Sequence, residues 1–283
     1  MNISHHQLSA FLVLSKTKNF SKAAKELSIT QSALSQRISQ LEADLETALI
    51  IREASGLKLT LSGEILLRYS QTAHSLEEEV LHQIKSSSKH LAGTVRIAGF
   101  SSVMRSIIIP SLSPFLRENS RVMCEFKTLE TSELFDALRS SEVDFVISDE
   151  EKRRNGLIEH LIGQEEYVMV ESRDFKTPSD VYLDHRPEDS TTEDYLKFQA
   201  KRLKKYRRSF MGNIYDVISG AEEGLGRAIV SKHLIQSNNR LKIIKDEKKF
   251  FKKIYLCFYE QAFYSTLHKQ VIDEVTKNSK LLF

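Results

Sequence analysis

The chain has 283 residues, enough for about two domains at roughly 100–200 residues each. Its 41 Lys and Arg against 38 Asp and Glu leave a formal charge of +3. That balance excludes a histone-like polycation or an acidic tail protein, and bulk charge alone decides nothing about nucleic acid. Ten glycines and four prolines leave room for long helices and argue against a turn-rich all-β fold. Two cysteines, Cys124 and Cys257, supply neither a disulfide scaffold nor a Cys-based zinc site. No apolar run reaches about 18 residues, so no membrane span is predicted. Residues 8–15 lack a preceding cation and are followed by Lys16 and Lys18, so they read as a packed helix rather than an export signal. A reducing cytoplasm is the expected setting.

Three short helices are predicted within residues 1–61. Leu8, Phe11 and Leu12 form the first apolar stripe. Ser21 is the expected cap of a second helix over residues 22–28, with Ala23, Ala24 and Leu27 facing inward. Thr30 is the expected cap of the third, in which Leu34, Ile38, Leu41 and Leu45 recur at intervals of four, three and four. Two helices joined by about three residues, the first rich in alanine, form a helix-turn-helix. The opposite face of the third helix carries Ser32, Ser35, Gln36, Ser39 and Gln40, flanked by Gln31 and Arg37, and no acid occurs from Ser28 to Leu41. Ordinary solvated helices favour Lys–Glu pairs. A charge-poor Gln and Ser face instead suits a groove lined by phosphates, where amides and hydroxyls meet base edges.

Residues 48–61 read as a β-hairpin wing carrying Arg52 and Lys58, positioned for the DNA backbone or minor groove. Ser21 and Thr30, at the helix starts, complete the candidate DNA-binding set. From residue 62 to 91 a single helix is expected, with Leu66, Tyr69, Ala73, Leu76, Val80, Ile84 and Leu91 at loose coiled-coil spacing. Roughly 28 residues at about 1.5 Å each span about 42 Å, a length that needs a partner helix. After Gly93, strands and helices alternate as in parallel α/β domains. Two lobes are predicted, residues 92–162 with 260–283 and residues 163–259, with a ligand cleft between them. The run at residues 201–208 holds six cations and is expected to be a solvated helix end.

The 20–45 run FSKAAKELSITQSALSQRISQLEADL resembles the LysR-type transcriptional regulators. Arg52, Leu59, Thr60 and Gly63 are similar to that family's wing. GAEEGLGRAIVSKHLI at residues 220–235 is similar to its second-lobe glycine motif, with Ser231 where proline is common. The resemblance implies an α/β protein with an N-terminal all-α winged helix-turn-helix, a dimerising linker helix and a two-lobed effector domain like a periplasmic binding protein. It implies double-stranded DNA as partner, assembly as a homodimer or homotetramer, and RNA polymerase as a further partner. It also implies a small-molecule effector in place of any cofactor, metal or catalytic group. By position in the motifs, Gln31, Ser32, Ser35, Gln36 and Arg37 face the major groove, and Ser101, Ser102, Ser132, Asp149, Asn213 and Ile214 line the effector cleft. Asp149 stands where an uncharged residue is usual, and the ITQSALSQR run looks like the family's arginine- and lysine-responsive regulators. Both point to a basic amino acid, against the alternative that Asp149 caps a loop or pairs with Lys152. The competing class is an enzyme on the α/β half. It lacks support, since no G-x-S-x-G, G-x-G-x-x-G or G-K-[ST] motif occurs.

Overall fold

The computed structural model describes residues 3–53, 56–85, 91–199, 205–246, 248–261 and 263–283. The N-terminal unit packs α1 (His5–Thr17), α2 (Phe20–Glu26) and α3 (Gln31–Asp44) around Phe11, Leu14, Ala23, Leu34, Ile38 and Leu41. Alanines at 23 and 24 let the helices approach closely, and each large apolar side chain buried there stabilises by roughly 1.5–3 kcal/mol. Thr30 caps α3 as expected, its Oγ1 accepting from the Ala33 N–H at 3.1 Å. The cap of α2 is Asn19 rather than Ser21. Its Oδ1 accepts from the Lys22 N–H at 2.9 Å, so the helix begins two residues earlier than the sequence suggests. Asn competes with Ser as a cap on nearly equal terms.

The wing pairs β1 (Ile50–Glu53) with β2 (Gly56–Leu59), Ile50 opposite Leu59. It abuts the start of α4 (Leu61–Lys85) at Gly63, where a Cβ would lie 2.2 Å from the Leu49 carbonyl oxygen. Only glycine fits that approach. Residues 86–90 of the expected linker helix lie outside the described residues. Leu66 and Leu67 of α4 enter the N-terminal core, whereas Leu61, Ile65, Tyr69, Val80 and Ile84 are exposed. The same helix is fastened to the C-terminal part of the chain. Arg139 meets Glu64 at 3.0 Å, Gln71 Nε2 donates to the Ser141 carbonyl at 2.9 Å, and the Arg68 guanidinium lies 4.3 Å from the Tyr259 ring centre.

Beyond Gly93 the first lobe holds β3 (Gly93–Gly99), α5 (Ser101–Val103), α6 (Ile109–Glu118), β4 (Val122–Thr128), α7 (Thr131–Arg139) and β5 (Phe145–Ser148). Alpha-helical residues 101–103 continue through a wide π-type turn at Met104–Ile108 into α6. A 16-residue strand, β6 (Leu157–Ser172), then leads to β7 (Val181–Asp184), α8 (Thr191–Phe198), β8 (Arg207–Phe210), α9 (Ile214–Glu222), β9 (Arg227–Ser231) and β10 (Leu241–Ile244). The chain returns on β11 (Phe250–Tyr259) and ends in α10 (Thr266–Ser279). All the strands beyond the wing join one sheet of order β4-β3-β5-β11-β6-β9-β7-β8, with β10 also on β6.

The sheet is mixed, not purely parallel. β3, β4 and β5 run parallel, as do β7, β8 and β9, but β6 and β11 are antiparallel to each other and cross between the two halves. A bulge between Ile254 and Tyr255 marks the crossing. Residues 255–257, grouped with the second lobe in the sequence reading, pair with β5, and Leu256 and Phe258 pack in the first lobe's core. Each half carries helices on both faces. α6 and α10 cover one face of the first half and α7 the other, while α9 and α8 cover opposite faces of the second. Gly224, in the glycine motif, has φ +72° and its missing Cβ would lie 2.6 Å from the Phe175 side chain. The cationic run lies partly outside the described residues. α8 stops at Phe198, residues 201–204 lie outside the described residues, and Arg207 and Arg208 open β8 instead, with Arg208 hydrogen-bonded to buried Asp184.

Candidate nucleic-acid interface and effector cleft

On α3, buried Leu34, Ile38 and Leu41 fix the rotation of the helix, so Gln31, Ser32, Gln36, Ser39 and Gln40 face outward and Ser35 and Arg37 are half-buried beside them. The Ser21 hydroxyl, no longer a cap, donates to Gln31 Oε1 at 3.1 Å, and Ser32 shares a 3.0 Å contact with the Thr30 hydroxyl. Ser21, Thr30, Gln31 and Ser32 therefore form one polar cluster at the N-terminal end of α3. That end carries the partial positive charge of the helix. At the far end Gln40 and Gln7 donate to Asp44 at 2.8 and 2.7 Å and hold its carboxyl below the ordinary value. Glu42, the other acid of α3, accepts from the Leu49 and Ile50 N–H groups at 2.7 and 3.2 Å.

In the wing, the Arg52 guanidinium stacks 4.5 Å from the Phe20 ring centre, which orients it beside the start of α2. Lys58 is paired with Glu53 at 2.6 Å across the hairpin. The two wing cations are therefore not equivalent: Arg52 is held by an aromatic ring, whereas the charge of Lys58 is answered within the wing.

The two halves of the sheet meet along β6 and β11, where the effector cleft is expected. Ser102 is buried at the start of α5, and its carbonyl accepts from Ser106 at 2.6 Å. Ser106 reaches the other half through His233 Nδ1 at 2.9 Å, and His233 Nε2 lies 2.6 Å from the Glu165 carboxylate. Glu165 is 1% exposed and also accepts from Ser231 at 2.8 Å and from the Tyr167 hydroxyl at 3.2 Å. Burial, reinforced by Glu165, pushes the Tyr167 phenol well above its ordinary value. Ser231, which stands where proline is common in the resembling family, thus donates a hydrogen bond that proline lacks.

Two further contacts bridge the halves. Tyr215 donates to the Ser101 carbonyl at 3.3 Å with Arg105 stacked over its ring, and Glu130 meets Arg186 at 2.6 Å. Asn213 caps α9, its Oδ1 accepting from the Tyr215 and Asp216 N–H groups at 2.9 and 3.0 Å, while Ile214 packs on the second core. Ser132 is exposed near the start of α7, whose cap is Glu130. Asp149 does not pair with Lys152, which bonds Glu150. It lies 3.7 Å from Lys252, and burial pushes its carboxyl up while Lys252 opposes the shift. The structure therefore joins the Ser101 carbonyl to Tyr215 at the α9 start, whereas Ser132 is exposed near the start of α7. Glu165, His233, Tyr215 and Lys252 carry the polar links and were missed from sequence. Only His233, inside the glycine motif, had any signal.

Burial pushes the thiols of Cys124 and Cys257 up to about 12, so both stay protonated and poorly reactive. Among the described residues no group of three His, Cys, Asp or Glu side chains is arranged to hold a metal ion, and no helix is long and apolar enough to cross a membrane.

Comparison with known families matches residues 5–64 to "Bacterial regulatory helix-turn-helix protein, lysR family" and residues 88–280 to "LysR substrate binding domain". The chain is 27% identical over 192 residues to the HTH-type transcriptional regulator HdfR of Yersinia enterocolitica, covering 68% of this chain and 65% of that protein. It is 32% identical over 179 residues to the HTH-type transcriptional regulator ArgP of Photobacterium profundum, covering 62% and 58%. The matches thus span somewhat less than two thirds of these relatives. Full-length LysG from Corynebacterium glutamicum with bound effector Arg shares the fold at a TM-score of 0.78 and 18% identity, covering 99% of this chain and 98% of that one.

Proposed function

The chain belongs to the LysR family of bacterial helix-turn-helix regulators, and from that premise we propose that it is a ligand-responsive, sequence-specific DNA-binding transcriptional regulator. The observation that carries this reading is the outward face of α3. It is amide- and hydroxyl-rich and free of acids from Ser28 to Leu41. Gln31, Ser32 and Gln36 read base edges in the major groove, with Ser35 and Arg37 at the margin. Ser21, Thr30 and Arg52 contact the backbone, and Lys58 contributes less because Glu53 answers its charge. The exposed Leu61, Ile65, Tyr69, Val80 and Ile84 of α4 pair two copies, and the effector domains associate further into a tetramer. The output is promoter occupancy in the cytoplasm and access of RNA polymerase, not turnover.

The effector is a small metabolite held between the halves by Ser101, Ser102, Asn213, Ile214 and Asp149, with Ser132 reached only on a change of lobe angle. A basic amino acid fits best. Asp149, with Lys252 at 3.7 Å, and buried Glu165, beside His233, supply carboxyl groups between the halves, and the LysG of similar fold has Arg as bound effector. Such a ligand shifts the equilibrium between lobe arrangements, and α4, fastened through Glu64 and Gln71, transmits the shift to the reading heads. The test combines a thermal-shift screen of amino acids with mobility shifts on the DNA upstream of the chain's own gene. Stabilisation by millimolar Arg or Lys together with a sequence-specific shift is expected. A specific shift without such stabilisation removes the basic-ligand reading, and no specific shift on any genomic fragment removes the regulator itself.

A further inference from the structure

A cavity of about 460 Å³ sits at the junction of three units. Its wall is built from the end of α1 (Lys16 and Lys18), from α4 (Gln71) and from the first lobe (Arg96, Lys127 and Ser141). Four cations face it against one lining acid, Glu142. Two of the cations are fixed by carboxylates: Lys127 meets Glu142 at 2.9 Å, and Arg96 meets Glu125 at 3.3 Å and Asp144 at 4.0 Å. Among the described residues Lys16 and Lys18 have no ion-pair partner. Ser141 is 8% exposed with φ +54°, and its hydroxyl has no hydrogen-bond partner, although its carbonyl is held by Gln71.

We propose that this cavity is a second ligand site, separate from the interlobe cleft, for a small multivalent anion of the phosphate or polycarboxylate class. The volume suits a metabolite rather than a lone ion. An anion with charge at two ends engages Lys16 and Lys18 on one side and Arg96 and Lys127 on the other. Bound there, it clamps α1 of the N-terminal unit against the first lobe.

The test uses the full chain and needs neither DNA nor effector. Calorimetric titration and thermal melting are run with inorganic phosphate, pyrophosphate and citrate against chloride at matched ionic strength. One-to-one binding with a raised melting temperature is expected for at least one of these anions. The preferred probe distinguishes a phosphoryl from a polycarboxylate ligand. The Lys16→Gln/Lys18→Gln variant and, separately, Lys127→Gln are expected to weaken binding about tenfold or more, as loss of charge-assisted hydrogen bonds does, without moving the ligand-free melting temperature. Absence of heat and of stabilisation beyond chloride overturns the proposal, as does equal affinity in all variants. A third overturning result assigns the two lysines to DNA instead: flat anion titrations with a loss of salt-dependent duplex affinity in the double-lysine variant.

Discussion

Replacing Gly63 with alanine tests the joint between the wing and the linker helix. The added Cβ would lie 2.2 Å from the Leu49 carbonyl oxygen and 3.1 Å from its carbon. That oxygen has little freedom to retreat. It accepts from the Thr60 N–H at 3.0 Å, and the Leu49 N–H is itself held by Glu42 at 2.7 Å. Relief needs a shift of about 1 Å in backbone, an overpacking cost of about 1–3 kcal/mol. Stretching the Thr60 bond adds about 1 kcal/mol, and better helix propensity returns up to about 1 kcal/mol. The net loss is about 2 kcal/mol, roughly thirtyfold in the local folding equilibrium. Native-state hydrogen exchange of Gly63→Ala should show wing and α3 amides exchanging roughly thirtyfold faster, with the effector-domain amides unchanged. Unaltered protection in α3 and the wing would refute the reasoning, since it would mean that the Leu49 carbonyl is free to move.

Three further outcomes follow from the same geometry. Val80→Glu with Ile84→Glu places charge on exposed apolar positions of α4, and light scattering should show the tetramer reduced to a dimer joined through the effector domains, with the melting temperature of those domains retained. Arg52→Ala should weaken binding to all duplexes alike and reduce the slope of log affinity against log salt by about 1; Lys58→Ala should change it less. Asp44, held low by Gln40 and Gln7, has a folded pKa below its unfolded one. Its contribution is therefore present above the ordinary value of 3.8 and lost as pH falls through the folded value. Acid titration of stability in Asp44→Asn should accordingly lack that part of the acid-side decline.

Local signals made the N-terminal unit readable from sequence. The Leu34, Ile38 and Leu41 spacing orients α3 by itself, and Thr30 announces its start. The cap of α2 was misassigned because Asn19 and Ser21 are both competent and the choice depends on backbone geometry. The pair of crossing strands was not readable, because Leu157 meets Tyr259 and Tyr167 meets Phe250 across about a hundred residues of chain. β8 was hidden by its cations: Arg208 reads as surface, yet it is drawn onto the strand by Asp184, itself buried. The cleft suffered most. Ser106, Glu165 and His233 carry no mutual spacing in sequence, and only the folded sheet brings them within hydrogen-bond reach. Ser132 is exposed near the start of α7, whose cap is Glu130, so its place at a helix start alone does not fix its role.

Selection of bound sequences from a random duplex library by the full-length chain tests the central claim most directly. Enrichment of a dyad-symmetric motif whose half-site centres lie about one helical turn or a multiple apart is expected, with the preferred bases changed in Gln36→Ala. Enrichment of no motif, or a motif untouched by every substitution on the outward face of α3, would contradict it.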